Sequence, residues 1–161
     1  MPRRRRRPRR TAPDTKGRAI LAALDGSPAS ERALREAIGL AVALRSELVL
    51  LHVVEDPAPW LPGAVDLHDE GERHRALADF GQVLLQRAAD AAAGAGAKAE
   101  RVQRKAGRVN IARTILDEAA ARECGLVVLG SHGRRGLTPL PLGGDADGVV
   151  ATATMPVLIV R

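Results

Sequence analysis

Five strand-like runs, separated by segments of helical spacing, constrain this chain more than any other feature. "AILAALDGS" (19–27) is apolar and ends in an acid and a glycine. "ELVLLHVVED" (47–56) is apolar on both faces, as a strand buried between two layers must be. "KAERVQRKAG" (98–107) alternates and reads as a half-exposed strand, "LVVLG" (126–130) is a short buried one, and "PVLIV" (156–160) is a short apolar fifth strand. Between them, Leu34, Ala37, Ile38, Ala41 and Leu44 recur at helical spacing. So do Leu77, Phe80, Leu84, Ala88 and Ala91, and then Ile111, Ala112, Ile115, Leu116 and Ala119. "DADGVVATAT" is a fourth, short helical segment. Ser27 followed by Pro28 is a helix start, and "PAPWLPGAVDLHDEG" (57–71) reads as a long loop. The order βαβαβαβαβ predicts an α/β fold: a single doubly wound domain, with a parallel sheet covered by helices on both faces.

A length of 161 residues suits one such domain. Trp60 and Phe80 are the only aromatic residues, so the core is aliphatic and stacking platforms for bases are nearly absent. That argues against a reader of single-stranded nucleic acid. The net charge of +6 is unevenly placed: residues 1–18 hold nine Lys and Arg against Asp14, which leaves −2 on the other 143. The division expected is an Arg-rich disordered tail at 1–17 and a domain at 18–161. The tail reads as a solvated extension, or as a weak contact for nucleic acid or an anionic surface. It contains no apolar run of the kind a signal peptide or membrane span needs. Cys124 is the only cysteine, which permits no internal disulfide and fits a reducing, cytoplasmic compartment.

In doubly wound sheets ligands bind beyond the carboxyl ends of the strands. Two such ends carry suitable loops: "LDGS" after the first strand and "LGSHGRRGLTPLPLGGD" (129–145) after the fourth. Gly130, Gly133 and Gly136 allow sharp turns and close approach of a ligand. Gly143 and Gly144 precede a helix, whose free N–H groups attract anions. Arg134 and Arg135 add positive charge, and His132 stands within reach of a phosphate. The alternative is a glycine-rich turn with a solvated arginine pair. No lysine followed by Ser or Thr makes this a P-loop. Asp25 reads as a pocket residue or as a turn acid, and Asp145 as a helix N-cap or a pocket residue. His52, inside an apolar strand, reads as a core histidine. His68 and His74 match no metal-ligand spacing, and no metal site is expected.

"AALDGSPASERAL", "LLHVVE", "LVVLGSHGRRGL" and the terminal "PVLIV" together resemble the universal stress protein family, over residues 17–161. The resemblance is to its ATP-binding branch, whose pattern G-x2-G-x9-G-[ST] is met at Gly130, Gly133 and Gly143. Gly144 stands where that branch has Ser or Thr, and Asp145 where it usually has an apolar residue. The resemblance implies a five-stranded parallel sheet of order 3-2-1-4-5. It also implies binding of ATP or a related adenine nucleotide, with or without magnesium. Asp25 would then end the first strand at the adenosine pocket, and a backbone group of Val53 would meet the adenine. Gly130 and Gly133 would line the ribose and phosphates, and Gly143 and Gly144 would hold the phosphates.

Two function classes follow. One is a nucleotide-binding regulatory module that signals through conformation or dimerisation and is at most a slow ATPase, since nothing evident positions an attacking water. The other is a non-nucleotide-binding stress protein acting through protein–protein contacts. In either case a homodimer through residues Pro156 to Val160 is expected. In that order "PVLIV" is an edge strand without a later element to cover it.

Overall fold

The computed structural model describes residues 18–55, 67–106, 110–133 and 142–161, without the side chains of residues 67–70 and 73. The Arg-rich tail, Trp60, Arg134, Arg135 and Gly136 lie outside the described residues. Five strands alternate with four helices. They are β1 (Ile20–Ala23), α1 (Pro28–Leu44), β2 (Leu48–Val54), α2 (Leu67–Gly94), β3 (Ala99–Lys105), α3 (Ile111–Ala121), β4 (Leu126–Gly130), α4 (Gly144–Thr152) and β5 (Val157–Val160). The sheet is parallel throughout, in the order β3-β2-β1-β4-β5.

Alternation along the strands divides the core in two. Ile20, Ala22 and Leu24 of the first strand segment, with Leu48 and Leu50, pack under α1 and α2. Leu21, Val49, Leu51, Val127 and Leu129 face the other way, under α3 and α4. Each buried Leu or Val contributes about 1.5–3 kcal/mol relative to exposure. Because both sheet faces are covered, β1, β2 and β4 are apolar throughout except at His52 of β2.

Local signals fix the helix ends. Ser27 caps α1, its Oγ accepting the Ser30 N–H at 3.1 Å, with Pro28 at the first helical position. Asn110 caps α3 through the Arg113 N–H at 2.8 Å. Helix α2 departs from expectation: it begins at Leu67, inside the stretch assigned to the 57–71 loop. The prolines of that stretch all precede residue 63, and Gly71 sits on the helix with open space around its Cβ position. A glycine there costs the helix about 1 kcal/mol but does not break it.

The edge strand β3 is tied to α3 by charge. The nearly buried Glu118 accepts from Arg104 Nε at 2.7 Å and from Arg122 Nε at 2.5 Å. Arg122 reaches on to Glu100 with two bonds of 2.6 and 2.9 Å. Burial pushes the Glu118 carboxyl up, but its bonds to Arg122 and Arg104 outweigh this and hold it below its ordinary value. Cys124 lies in the second core, where burial pushes its thiol up to about 11. It is a small apolar residue in its behaviour.

Candidate functional site

The site is built at the carboxyl ends of β1 and β4. Past Ala23, Leu24 N–H makes one more bond to β2, to Leu51 O at 2.8 Å, and the chain then turns. Asp25 shapes that turn. Its Oδ1 accepts the Ser27 N–H at 2.9 Å, and its own N–H donates to Ser30 Oγ at 3.1 Å. Gly26 occupies the left-handed region at φ +80°, which L side chains rarely adopt, and a Cβ there would stand 2.9 Å from Phe80 Cζ. Ser27 Oγ also donates to His132 O at 3.2 Å, which joins the loop after β1 to the loop after β4.

The second loop leaves β4 at Gly130. A Cβ on Gly130 would stand 2.8–2.9 Å from the backbone and Cβ atoms of Ala29 and Ser30, so this glycine lets the start of α1 lie against β4. Gly133 faces Asp25, whose Oδ2 would lie 2.7 Å from an added Cβ. Among the described residues, positive φ is confined to Gly26 and Gly96 for glycine, so a sharp turn does not explain Gly130, Gly133, Gly143 or Gly144. Buried Ser131 fastens the loop at both ends. Its N–H donates to Val160 O at 2.7 Å, and its carbonyl accepts the Gly143 N–H at 2.8 Å.

Gly143 is the N-cap of α4, with extended backbone and no side chain to cap with. The reading of Asp145 as that cap is therefore corrected: Asp145 lies one position inside the first turn and lines the cleft, along with its neighbour Gly144. The expected role of Gly143 changes as well. Its N–H is committed to Ser131 O, so an anion would meet the amides after it, which no intrahelical carbonyl satisfies.

Between these loops opens a cleft of about 650 Å³. Leu51, Val53, Ile111, Ile115 and Leu129 give it apolar walls, while Asp25, Glu55, His132 and Asp145 stand at its polar parts. His132 is half-buried, with Nδ1 3.2 Å from Ser131 Oγ. Val53 offers main-chain chemistry. Successive peptide groups of β2 face alternate neighbours; Leu51 faces β1, and so does Val53 two residues on. But β1 pairs only as far as Ala23, so the Val53 N–H and C=O border the cleft rather than a strand.

Eight of the expected site residues thus line one cleft: Asp25, Val53, Gly130, His132, Gly133, Gly143, Gly144 and Asp145. Arg134, the ninth, lies outside the described residues. Asp25 unites the two readings given to it, since it shapes the turn with Oδ1 and lines the cleft. The sequence did not disclose Ser27, Ser30, Glu55, Ile111 and Ile115 as cleft residues. Ser27 and the two isoleucines carried signals for a helix cap and a helix core face, and each does both jobs.

The profile of the Universal stress protein family matches residues 17–161. The chain belongs to that family. A universal stress protein from Mycolicibacterium smegmatis is 36% identical over 143 residues, which are 88% of this chain and 45% of that protein. YxiE of Bacillus subtilis is 34% identical over 88% of this chain and 97% of its own length. This chain thus spans less than half of the mycobacterial relative and nearly all of the Bacillus one. Among solved structures, UspA of Lactobacillus plantarum superposes with a TM-score of 0.79 at 24% identity, covering 91% of this chain and 99% of that one. A universal stress protein solved in complex with cAMP gives 0.66 at 24% identity, with coverages of 89% and 97%. One from Archaeoglobus fulgidus in complex with dAMP gives 0.60 at 20%, with 91% and 99%. These likenesses establish the shared fold.

Proposed function

We propose that this chain is a regulatory module that binds ATP or a related adenine nucleotide in the cleft at the carboxyl ends of β1 and β4. The observation that carries the reading is the union, in one cleft, of apolar walls, the unladdered Val53 peptide group and the N-terminus of α4. The walls suit a purine, and Val53 offers a donor and an acceptor side by side for its edge. Asp25 suits a sugar hydroxyl, and the first turn of α4 suits a phosphate. The relatives of like fold solved with cAMP and dAMP support an adenine ligand. Arg134 would add charge to the phosphate end. Magnesium would screen a polyphosphate from Asp145. The output would be a change of conformation or of association rather than turnover.

A second reading, a partner-binding protein without nucleotide, draws on Gly144 and Asp145. Gly144 has no hydroxyl to donate, and Asp145 brings a carboxylate to the phosphate end of the cleft. Titration calorimetry with AMP, ADP and ATP, each with and without magnesium, separates the two. Heat with any of them supports the first reading, and silence from all six supports the second.

A further inference from the structure

His52 is 3% exposed in the interior of β2, and its environment is more specific than a core position requires. In β2 the even residues face β3: Leu48 N–H donates to Lys98 O, and Val54 O accepts the Ala106 N–H. The odd residues face β1. Once Leu24 N–H has bonded Leu51 O, the parallel pattern calls next for a bond from Val53 N–H to Leu24 O. That bond is not made. Leu24 O accepts instead from His52 Nδ1, at 2.7 Å. A carbonyl can only accept, so Nδ1 carries the proton in this contact.

The ring is held in that orientation from behind. Phe80 meets it edge-on, with centroids 6.0 Å apart. Gly81 of α2 lies directly over it: a Cβ at this position would overlap His52 Cδ2 and stand 3.0 Å from Nε2. Helix α2 thus carries a glycine at the position where a side chain would push the imidazole out of place.

We propose that His52 is a positioning residue for base recognition. By taking the Leu24 carbonyl, it ends the β1–β2 ladder one bond early and leaves the Val53 N–H and C=O for the Watson–Crick edge of an adenine. This inference rests on the nucleotide reading above. Adenine sets an acceptor, N1, beside a donor, the 6-amino group, which complements one residue's N–H and C=O. Hypoxanthine reverses both: N1 carries a proton and position 6 is a carbonyl. IMP would therefore turn like groups toward each other at Val53, while its ribose and phosphate match those of AMP.

The test compares wild type with His52→Leu, His52→Asn and Gly81→Ala. Two readouts are used: calorimetric affinities for AMP and IMP, and amide hydrogen exchange at Val53 and Leu51 without ligand. In wild type, AMP is favoured over IMP by about 100-fold, and Val53 exchanges much faster than Leu51. In His52→Leu and Gly81→Ala, the freed Leu24 carbonyl takes the Val53 N–H. Val53 then becomes as protected as Leu51, and the preference falls below about tenfold. Asparagine places its amide nitrogen near the position of Nδ1, so His52→Asn retains the preference. A purely structural role for His52 would lower stability and leave the AMP to IMP ratio alone. If AMP binds with an unchanged ratio in both variants, or if Val53 is already protected in wild type, the role of His52 is overturned and the nucleotide reading stands. If wild type binds neither nucleotide, that reading falls and the role of His52 falls with it. Should His52→Leu fail to fold, Gly81→Ala carries the same comparison.

Discussion

Gly130 and Ser30 lie so close that a Cβ on the glycine would stand 2.8 Å from the Ser30 nitrogen. The obstacle is backbone, at the start of a helix whose cap and turn also hold Asp25. Gly130→Ala must therefore move α1 or strain β4. It is expected to cost about 1–3 kcal/mol of stability, with or without nucleotide. Gly133→Ala differs, because its obstacle is the Asp25 carboxylate at 2.7 Å. That variant is expected to unfold within a few degrees of wild type yet bind nucleotide several-fold more weakly. Thermal unfolding and calorimetry on the pair check this. Equal losses of stability would show that Asp25 cannot give way.

Gly144 and Asp145 offer changes that act in opposite senses. Nothing lies within 4 Å of a Cβ built on Gly144, so Gly144→Ser is accommodated and supplies a hydroxyl at the phosphate end. It is expected to tighten ATP binding several-fold. Asp145 stands in the first turn of α4, where a carboxylate complements the helix dipole. Asp145→Asn should thus cost about 0.3–1 kcal/mol of stability, while tightening ATP binding and weakening its dependence on magnesium. Lower ATP affinity in Asp145→Asn would instead assign that carboxylate to a metal ion.

The sheet was readable from sequence because its inner strands are apolar on both faces, which leaves period-2 and period-3.6 segments plainly distinct. The start of α2 was not, since Gly71 and the prolines before residue 63 carry loop signals and the tertiary structure overrides the first of them. In the site, the spacing of Gly130, Gly133 and Gly143 located the cleft through family resemblance. The reason for Gly130 was hidden, because it depends on a helix a hundred residues earlier. The Ser27 bond to His132 and the His52 bond to Leu24 were hidden likewise. No local pattern reveals which distant carbonyl a side chain will meet.

Acid should loosen the β3 edge. Glu118 and Glu100 titrate below their ordinary value of 4.5 in the folded chain. A carboxyl depressed by folding stabilises the fold fully above its unfolded value, and that contribution is lost as pH falls through the folded value. Wild type is therefore expected to lose stability below about pH 4.5, partly through this network. Glu118→Gln should cost about 1–2 kcal/mol at pH 7, since Arg104 and Arg122 remain partly solvated. Its stability should then fall less steeply with acid. Urea unfolding at pH 7, 5 and 3.5 tests this, and parallel curves for the two proteins would exclude the network as the acid-sensitive element.

The β5 edge is the surface from which a homodimer through Pro156 to Val160 would form, and the ladder says which residues to change. Pro156 O accepts the Val127 N–H, and Val160 O accepts the Ser131 N–H. The even positions of the strand therefore face β4. Val157 and Ile159 direct their peptide groups to the open side, where a two-fold related copy would pair antiparallel. Ile159→Pro removes an outward N–H and is expected to give a folded monomer. Leu158→Pro removes an N–H that belongs to the β4 ladder, so it should destabilise the subunit itself. Light scattering at micromolar concentration, with circular dichroism to confirm folding, separates these outcomes. A wild-type monomer excludes the interface, and a folded Ile159→Pro dimer moves it away from β5.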